Sequence, residues 1–179
     1  MWRRVKDLLL SLWMVERFIR LHIRVSSAIH ARVPVVGRML SWMLDRVLLF
    51  LYGIDLVSTS VRVRALSIAH PVGVLLGGNG IVSPGRVAIM AGVKFVGRDP
   101  RDPEYLRRHA EGRVFVLGDN VVIGANSVVV GPVDICDDVV VGAMSLVNRS
   151  IGEPGVYVGI PARKISDRVS DDWVSHLTV

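Results

Sequence analysis

Apolar residues recur every six positions along the second half of the chain. Leu117, Ile123, Val129, Ile135, Val141 and Val147 are all aliphatic, and the positions two residues upstream (Phe115, Val121, Ser127, Val133, Val139, Ser145) are apolar or small. Glycine follows the aliphatic position at Gly118, Gly124 and Gly142. Neither the helical period nor strand alternation gives this spacing. A coiled parallel β-solenoid does, with each six-residue unit forming one short flat face; a single repeat cannot bury its apolar residue, whereas a stack buries a continuous column. Weaker rungs precede it, readable as Leu56–Val61, Arg62–Ser67, Ile68–Gly73 and Val74–Asn79, with Arg62 falling in an inward slot. One extra residue around Ser83–Arg86 shifts the phase before Ile89 and Phe95 resume it. Between Arg98 and Gly112 the pattern vanishes into a charged stretch with two prolines, too hydrophilic for a column. Such loops on rigid scaffolds tend to line binding sites.

Upstream, the period changes. Residues 5 to about 30 read as an amphipathic helix, with Met14, Phe18, Leu21 and Val25 on one face, a basic stripe of Arg17, Arg20 and Arg24, and Glu16 spaced to pair with Arg20. Pro34 and Gly37 interrupt, and a second helix is predicted from Val36 to Leu51 with Leu40, Met43, Val47 and Phe50 on one face. The predicted organisation is a helical segment over 1–53, a solenoid over 54–165 carrying the loop 98–112, and a tail over 166–179. The helix pair serves either as a cap on the solenoid end or on neighbouring subunits, or as a basic, Trp-bearing contact for a membrane surface.

Charge sharpens that choice. Residues 1–53 hold nine basic and three acidic side chains, which gives +6, while the remainder holds thirteen of each. The excess belongs to the helical segment and suggests an anionic partner beside it, with a membrane surface or nucleic acid as the usual options; the expectation kept alongside the cap is a membrane surface and no nucleic acid. The longest uncharged run, Ala65–Gly85, is broken by Pro71, Pro84 and several glycines, so no membrane-crossing helix is expected. The basic and apolar start lacks a small-residue cleavage site. Together with the lone Cys136, which precludes an intrachain disulfide, this predicts a cytoplasmic protein with peripheral membrane contact through residues 1–30.

Of five histidines (His22, His30, His70, His109, His176), only His70 falls on a rung, where an imidazole can move a proton near neutrality. No converging His, Cys or carboxylate set recurs in adjacent rungs, so no metal is expected. Gly77-Gly78-Asn79-Gly80 lacks the Lys-Ser/Thr of a phosphate loop, and no serine stands in a nucleophile-elbow setting.

From Asp55 to Arg163 the chain resembles the serine O-acetyltransferase-like branch of the hexapeptide acyltransferases. The resemblance rests on Asp55 fifteen residues before His70, on His70-Pro-Val-Gly-Val-Leu-Leu-Gly, Gly92-Val-Lys-Phe-Val-Gly97 and Gly118-Asp-Asn-Val-Val-Ile-Gly-Ala-Asn126, on Val141-Gly-Ala143, and on Gly159-Ile-Pro-Ala-Arg163. It implies a left-handed parallel β-helix assembled as homotrimers, with acetyl-CoA bound between neighbouring solenoids. It implies His70 as general base toward an acceptor hydroxyl, Asp55 as the carboxylate that orients it, Gly97 as a backbone amide near the thioester, Ala125 and Ala143 as lining for the pantetheine arm, and Arg163 and Lys164 as partners for the CoA phosphates. Two positions depart from the enzymes that acetylate serine: Ala69 stands where they have an aspartate, and Arg113-Val114 where they have a histidine beside an arginine. A polar acceptor left without partners loses affinity. Arg113 and, in the long loop, His109 remain as candidate acceptor contacts. The sequence therefore favours an acetyl-CoA-dependent O-acetyltransferase acting on a hydroxyl of a sugar, glycoconjugate or other small metabolite. A serine O-acetyltransferase and a non-catalytic trimeric scaffold are the alternatives.

Overall fold

The structure is a computed structural model that describes residues 15–33 and 35–168. The basic residues before position 15, Met14, the Glu16 side chain and the tail after 168 with His176 lie outside the described residues, as do the expectations placed on them. Two helices, α1 (Val15–Arg32) and α2 (Val36–Tyr52), pack together and lead into a β-solenoid. Gly53, with φ 65°, ends α2 in a left-handed cap and returns its N–H to the Leu49 carbonyl.

The solenoid begins at β1 (Asp55–Leu56), a 3₁₀ turn (Ser58–Ser60) and β2 (Val61–Ile68). It continues through β3 (Leu75–Gly77), β4 (Ile81–Ile89), β5 (Lys94–Gly97), β6 (Phe115–Leu117), β7 (Val121–Ile123), β8 (Val128–Gly131), β9 (Val133–Ile135), β10 (Val139–Val141), β11 (Leu146–Val147) and β12 (Gly155–Val158). All of these pair in parallel; only the last strand, β13 (Arg163–Ser166), turns back antiparallel on β12. In the regular coils the pairs Phe115↔Val133, Val122↔Val140 and Val128↔Leu146 each span eighteen residues, three units of six. Strands β1, β3, β5, β8 and β11 stack as a first face. The start of β4 pairs with β6 and its end with β7, so β4 bends across two further faces, and β2 bends alongside it.

Both six-residue tracks point inward. Leu117, Ile123, Val129, Ile135, Val141 and Val147 are buried, and so are all six residues two positions upstream, including Ser127 and Ser145. The serines satisfy themselves on the backbone: Ser127 Oγ donates to the Gly142 carbonyl (2.9 Å) and accepts from the Ser145 N–H (3.2 Å). The extra residue near Ser83–Arg86 is present, because Val63 pairs with Ser83 but Ala65 with Arg86. Arg62 corrects the sequence reading. The first full coils run twenty to twenty-one residues (Val61↔Ile81, Ile68↔Ile89), which rotates Arg62 outward, where its guanidinium donates to the Gly112 carbonyl at 2.6 Å.

The charged stretch leaves the column after Gly97, as the pattern break predicts, but it carries a helix that the sequence reading did not foresee: α3 (Pro103–Ala110). Asp102 caps it by accepting from Glu104 N, and proline opens it. Tyr105 donates to Asn79 Oδ1 (2.8 Å) and Arg108 pairs with Asp134, so the excursion is pinned to the solenoid.

Of the apolar faces read from the sequence, Phe18 packs against the core while most of the rest stays outside. Leu40, Met43, Val47 and Phe50 are exposed, as are Leu21 and Val25. The seam is built instead from Gly37, Ser41, Asp45 and Leu48 of α2 against Ile19, His22 and Ser26 of α1. At its centre the buried Asp45 carboxylate accepts from Ser26 Oγ (3.1 Å), from Ser58 N (2.9 Å) and Oγ (2.5 Å), and faces His22 Nε2 at 3.3 Å. Desolvation pushes the Asp45 carboxyl up, but the hydrogen bonds from His22, Ser58 and Ser26 outweigh it and hold its pKa below the usual value. This cluster ties both helices to the first 3₁₀ turn of the solenoid. His22 is thus a packed residue in a polar seam.

Candidate active site

The turns of a solenoid stack into edges, and the candidate residues sort by edge. Where the third face passes to the first, the backbone forms a ladder. Gly73 N donates to Gly53 O (3.0 Å), Gly92 N to Val72 O (3.0 Å), Asn126 N to Ala91 O (2.8 Å), Met144 N to Ala125 O (2.9 Å) and Leu146 N to Gly159 O (2.9 Å). His70 sits at the foot of this first edge, exposed and with φ 55°, a left-handed conformation that histidine tolerates better than most residues. The turn is reached because Ala69 N still donates to Ile89 O (2.9 Å), after which the chain must double back to place Val74 inside.

Asp55 lies beside the same edge, since its N–H donates to Val74 O (2.9 Å). Its carboxylate takes a hydrogen bond from Arg46 Nη2 at 3.1 Å, and among the described residues no hydrogen bond joins it to His70. The structure therefore places the pair around one corner, with Asp55 held by a guanidinium from α2. Arg46 is a contact the sequence reading missed, because it lies on a helix outside the matched segment.

Above His70 the first edge opens into a largely apolar groove of about 350 Å³, walled by Met90, Gly124, Ala125, Gly142 and Ala143, with Arg168 at its rim. Its floor is the outward side of the third face, where Ala88, Val122 and Val140 cluster with Val156. Small residues at the corner keep the groove narrow: a Cβ on Gly142 would come within 2.6 Å of Val158. A slender apolar chain fits such a channel and a bulky one does not. Past the groove, β13 lies on β12 with Val158 opposite Arg163 and Tyr157 opposite Lys164, and both basic residues line a separate pocket with Asn148, Arg149 and Ala162 rather than the groove itself. Arg163 is exposed, whereas Lys164 is engaged by Asp167 (2.6 Å) and Glu153 (3.2 Å). The hydrogen bond to Asp167, above all, raises the Lys164 pKa. Arg168 adds a cation at the groove's rim that the sequence reading did not single out.

The remaining candidates occupy the second edge, at the far end of β5. Gly97 pairs with Gly131, and a Cβ there would meet the Tyr105 ring at 2.7 Å, so only glycine lets α3 close down on the strand. Arg113 follows α3, is exposed, and donates its N–H to Arg108 O (2.8 Å). His109 is exposed and stacks on Tyr105, ring centroids 5.6 Å apart. Four residues of strand, about 13 Å, separate this group from the first edge. Within one chain the two groups do not meet.

The third edge is different in kind. Asp119 is held by Arg86, whose hydrogen bonds bring its pKa down to about 2, and Asp119 N donates to Asp137 Oδ1 (2.7 Å). Cys136 sits there half-buried, and burial pushes its thiol up, away from thiolate chemistry. Among the described residues no group of three His, Cys, Asp or Glu side chains converges as a metal site.

Comparison with known proteins bears on the fold that carries these residues. Residues 116–149 match the family described as bacterial transferase hexapeptide (six repeats). A serine acetyltransferase of Synechococcus elongatus is 33% identical over 134 residues, covering 75% of this chain and 50% of that protein. The crystal structure of serine acetyltransferase from Vibrio cholerae superposes with a TM-score of 0.69 at 20% identity, covering 87% of this chain and 55% of the other. A serine acetyltransferase in complex with CoA superposes with a TM-score of 0.63 at 19% identity, covering 80% and 54%. The chain spans about half the length of these proteins. Its fold, helices followed by a parallel hexapeptide solenoid, is theirs.

Proposed function

We propose that this chain is an acetyl-CoA-dependent O-acetyltransferase acting on a small hydroxyl acceptor, with His70 as the general base. One observation carries the reading: a single solenoid edge sets an exposed imidazole one coil below Met90, where a largely apolar groove with Arg168 at its rim begins. A pantetheine arm fits the groove beside Ala125 and Ala143, and Arg168 at the rim is placed to meet a phosphate, with Arg163 on the neighbouring strand as a second candidate. The imidazole takes the acceptor proton as the oxygen attacks the thioester carbonyl; the C–S bond then breaks and the CoA thiol leaves carrying that proton. No acyl-enzyme is required. Asp55 acts as a positioning carboxylate beside the same corner, with Arg46 as its present partner.

A homotrimer supplies what one chain lacks. If the second edge of a neighbour faces the first edge, the Gly97 amide, Arg113 and His109 line the far wall of the same cleft. Serine is the acceptor favoured by the compared proteins, all of which bear that name. Ala69 and Arg113-Val114 favour a sugar hydroxyl instead, because they remove two groups that would hold an amino acid. Thiol release from acetyl-CoA, followed with serine and with a panel of sugars, separates these. We expect acceptor-dependent release that falls at least about 100-fold in His70→Asn, a substitution that keeps the left-handed turn. Turnover of a sugar but not of serine supports the second reading, and release from no acceptor, or unchanged release in His70→Asn, defeats both.

A further inference from the structure

Helices that pack in water bury their apolar stripes. Here α1 does so through Phe18, Ile19 and Ile23, but α2 does the reverse. The seam of α2 is small and polar, while Val36, Met39, Leu40, Met43, Val47 and Phe50 face outward, Met43 52% and Phe50 90% exposed. At helical spacing these six cover one continuous arc of about 100°. On one flank stands Trp42, 61% exposed, with Arg46 6.0 Å from its ring centroid and Arg38 nearby on the same side of the helix.

The exposed charges on this helix pair share one sign, with Arg20 and Arg24 turned toward β2 and Arg46 reaching Asp55. The charged side chains described on α1 and α2 outside the buried seam are Arg17, Arg20, Arg24, Arg32, Arg38 and Arg46, and the one carboxylate described there, Asp45, is enclosed in that seam. A second copy of this chain brought onto the face would oppose arginine with arginine. An anionic bilayer surface offers acyl chains to the apolar arc and phosphates to the guanidinium groups at its edge. No helix among the described residues is long and apolar enough to cross a membrane, so the contact is in plane.

We propose that α2 lies in the surface of a bilayer carrying anionic lipid, with the Met39–Met43–Phe50 face inserted, Arg46 at the headgroups beside it and Arg38 adding positive charge farther round the helix. Gly53 ends α2 and receives the Gly73 N–H, so a docked α2 holds the His70 edge one corner from that surface. The docking does not depend on the acyl-transfer reading.

Flotation of the full chain tests it, using vesicles of phosphatidylcholine alone and with about 30% phosphatidylglycerol. Wild-type protein is expected to float with the anionic vesicles and far less with neutral ones. The double variant Met43→Glu/Phe50→Glu is expected to lower the partition coefficient by about tenfold or more. Arg38→Glu, an exposed change that leaves packing untouched, is expected to lower binding only to the anionic vesicles and to lose its effect at high salt. The proposal is overturned if wild-type protein stays out of the anionic fraction, or if both variants float as it does. It is also overturned if the double variant merely converts a larger oligomer to a smaller one, which assigns the face to a second copy.

Discussion

At the scale of single residues, the chain separates groups that hold the fold from groups left available. Asp45 is the clearest of the first kind, buried and bonded by three partners on two other elements. Removing it strands the donors of Ser26 and Ser58, so Asp45→Ala is expected to cost about 3 kcal/mol in urea unfolding. The pH dependence has a definite sign. The folded carboxyl lies below its ordinary value of 3.8, so its contribution is complete above that pH and is lost as pH falls toward the folded value. The stability gap between wild type and Asp45→Ala should therefore be full at neutral pH and shrink below about 3.8; a gap that widens in acid contradicts the assignment. His70 is of the second kind: exposed and without a hydrogen bond among the described residues, it was legible in the sequence because no other histidine fell on a rung. The partner of Asp55 was not legible. Arg46 reaches it from a helix whose packing no spacing rule reports, and the His22–Asp45–Ser26 cluster escaped for the same reason, since its members lie on two helices and acquire a shared seam only in three dimensions.

At the scale of elements, the solenoid was readable because its period is enforced by burial. A residue six positions on returns to the same slot of the next face, and Leu117 through Val147 all remain inside. Where the coils lengthen to twenty or more residues, around Arg62, that logic misassigns the inward slot. The apolar stripes of the helix pair were readable but their covering was not, because apolar periodicity identifies a stripe without naming what covers it. Helix α3 was overlooked since it buries no residue, although Asp102-Pro103 and the closing Arg107-Arg108-His109 were present as end signals. Its role is testable as an element. Replacing residues 99–111 by a short glycine-serine turn should leave the thermal transition within a few degrees, because the excursion contributes no buried residue of its own helix to the column. The same change should raise KM for the acceptor at least about tenfold while changing KM for acetyl-CoA little. An equal rise in both would place α3 at the groove instead.

At the scale of the whole molecule, the prism spreads its candidate residues over two edges about 13 Å apart, a separation that no single chain closes. A heterologous ring does, as it sets one subunit's first edge against the next subunit's second edge at every interface. That arrangement is the account's central claim, and mixing two inactive variants addresses it directly. His70→Asn and Arg113→Ala would each be purified without activity, then unfolded together and reassembled. The shared cleft predicts that about a quarter of the interfaces in a statistical mixture regain both intact edges, so acceptor-dependent thiol release returns to about a quarter of the wild-type rate. Reassembled mixtures that stay as inactive as either parent would contradict it.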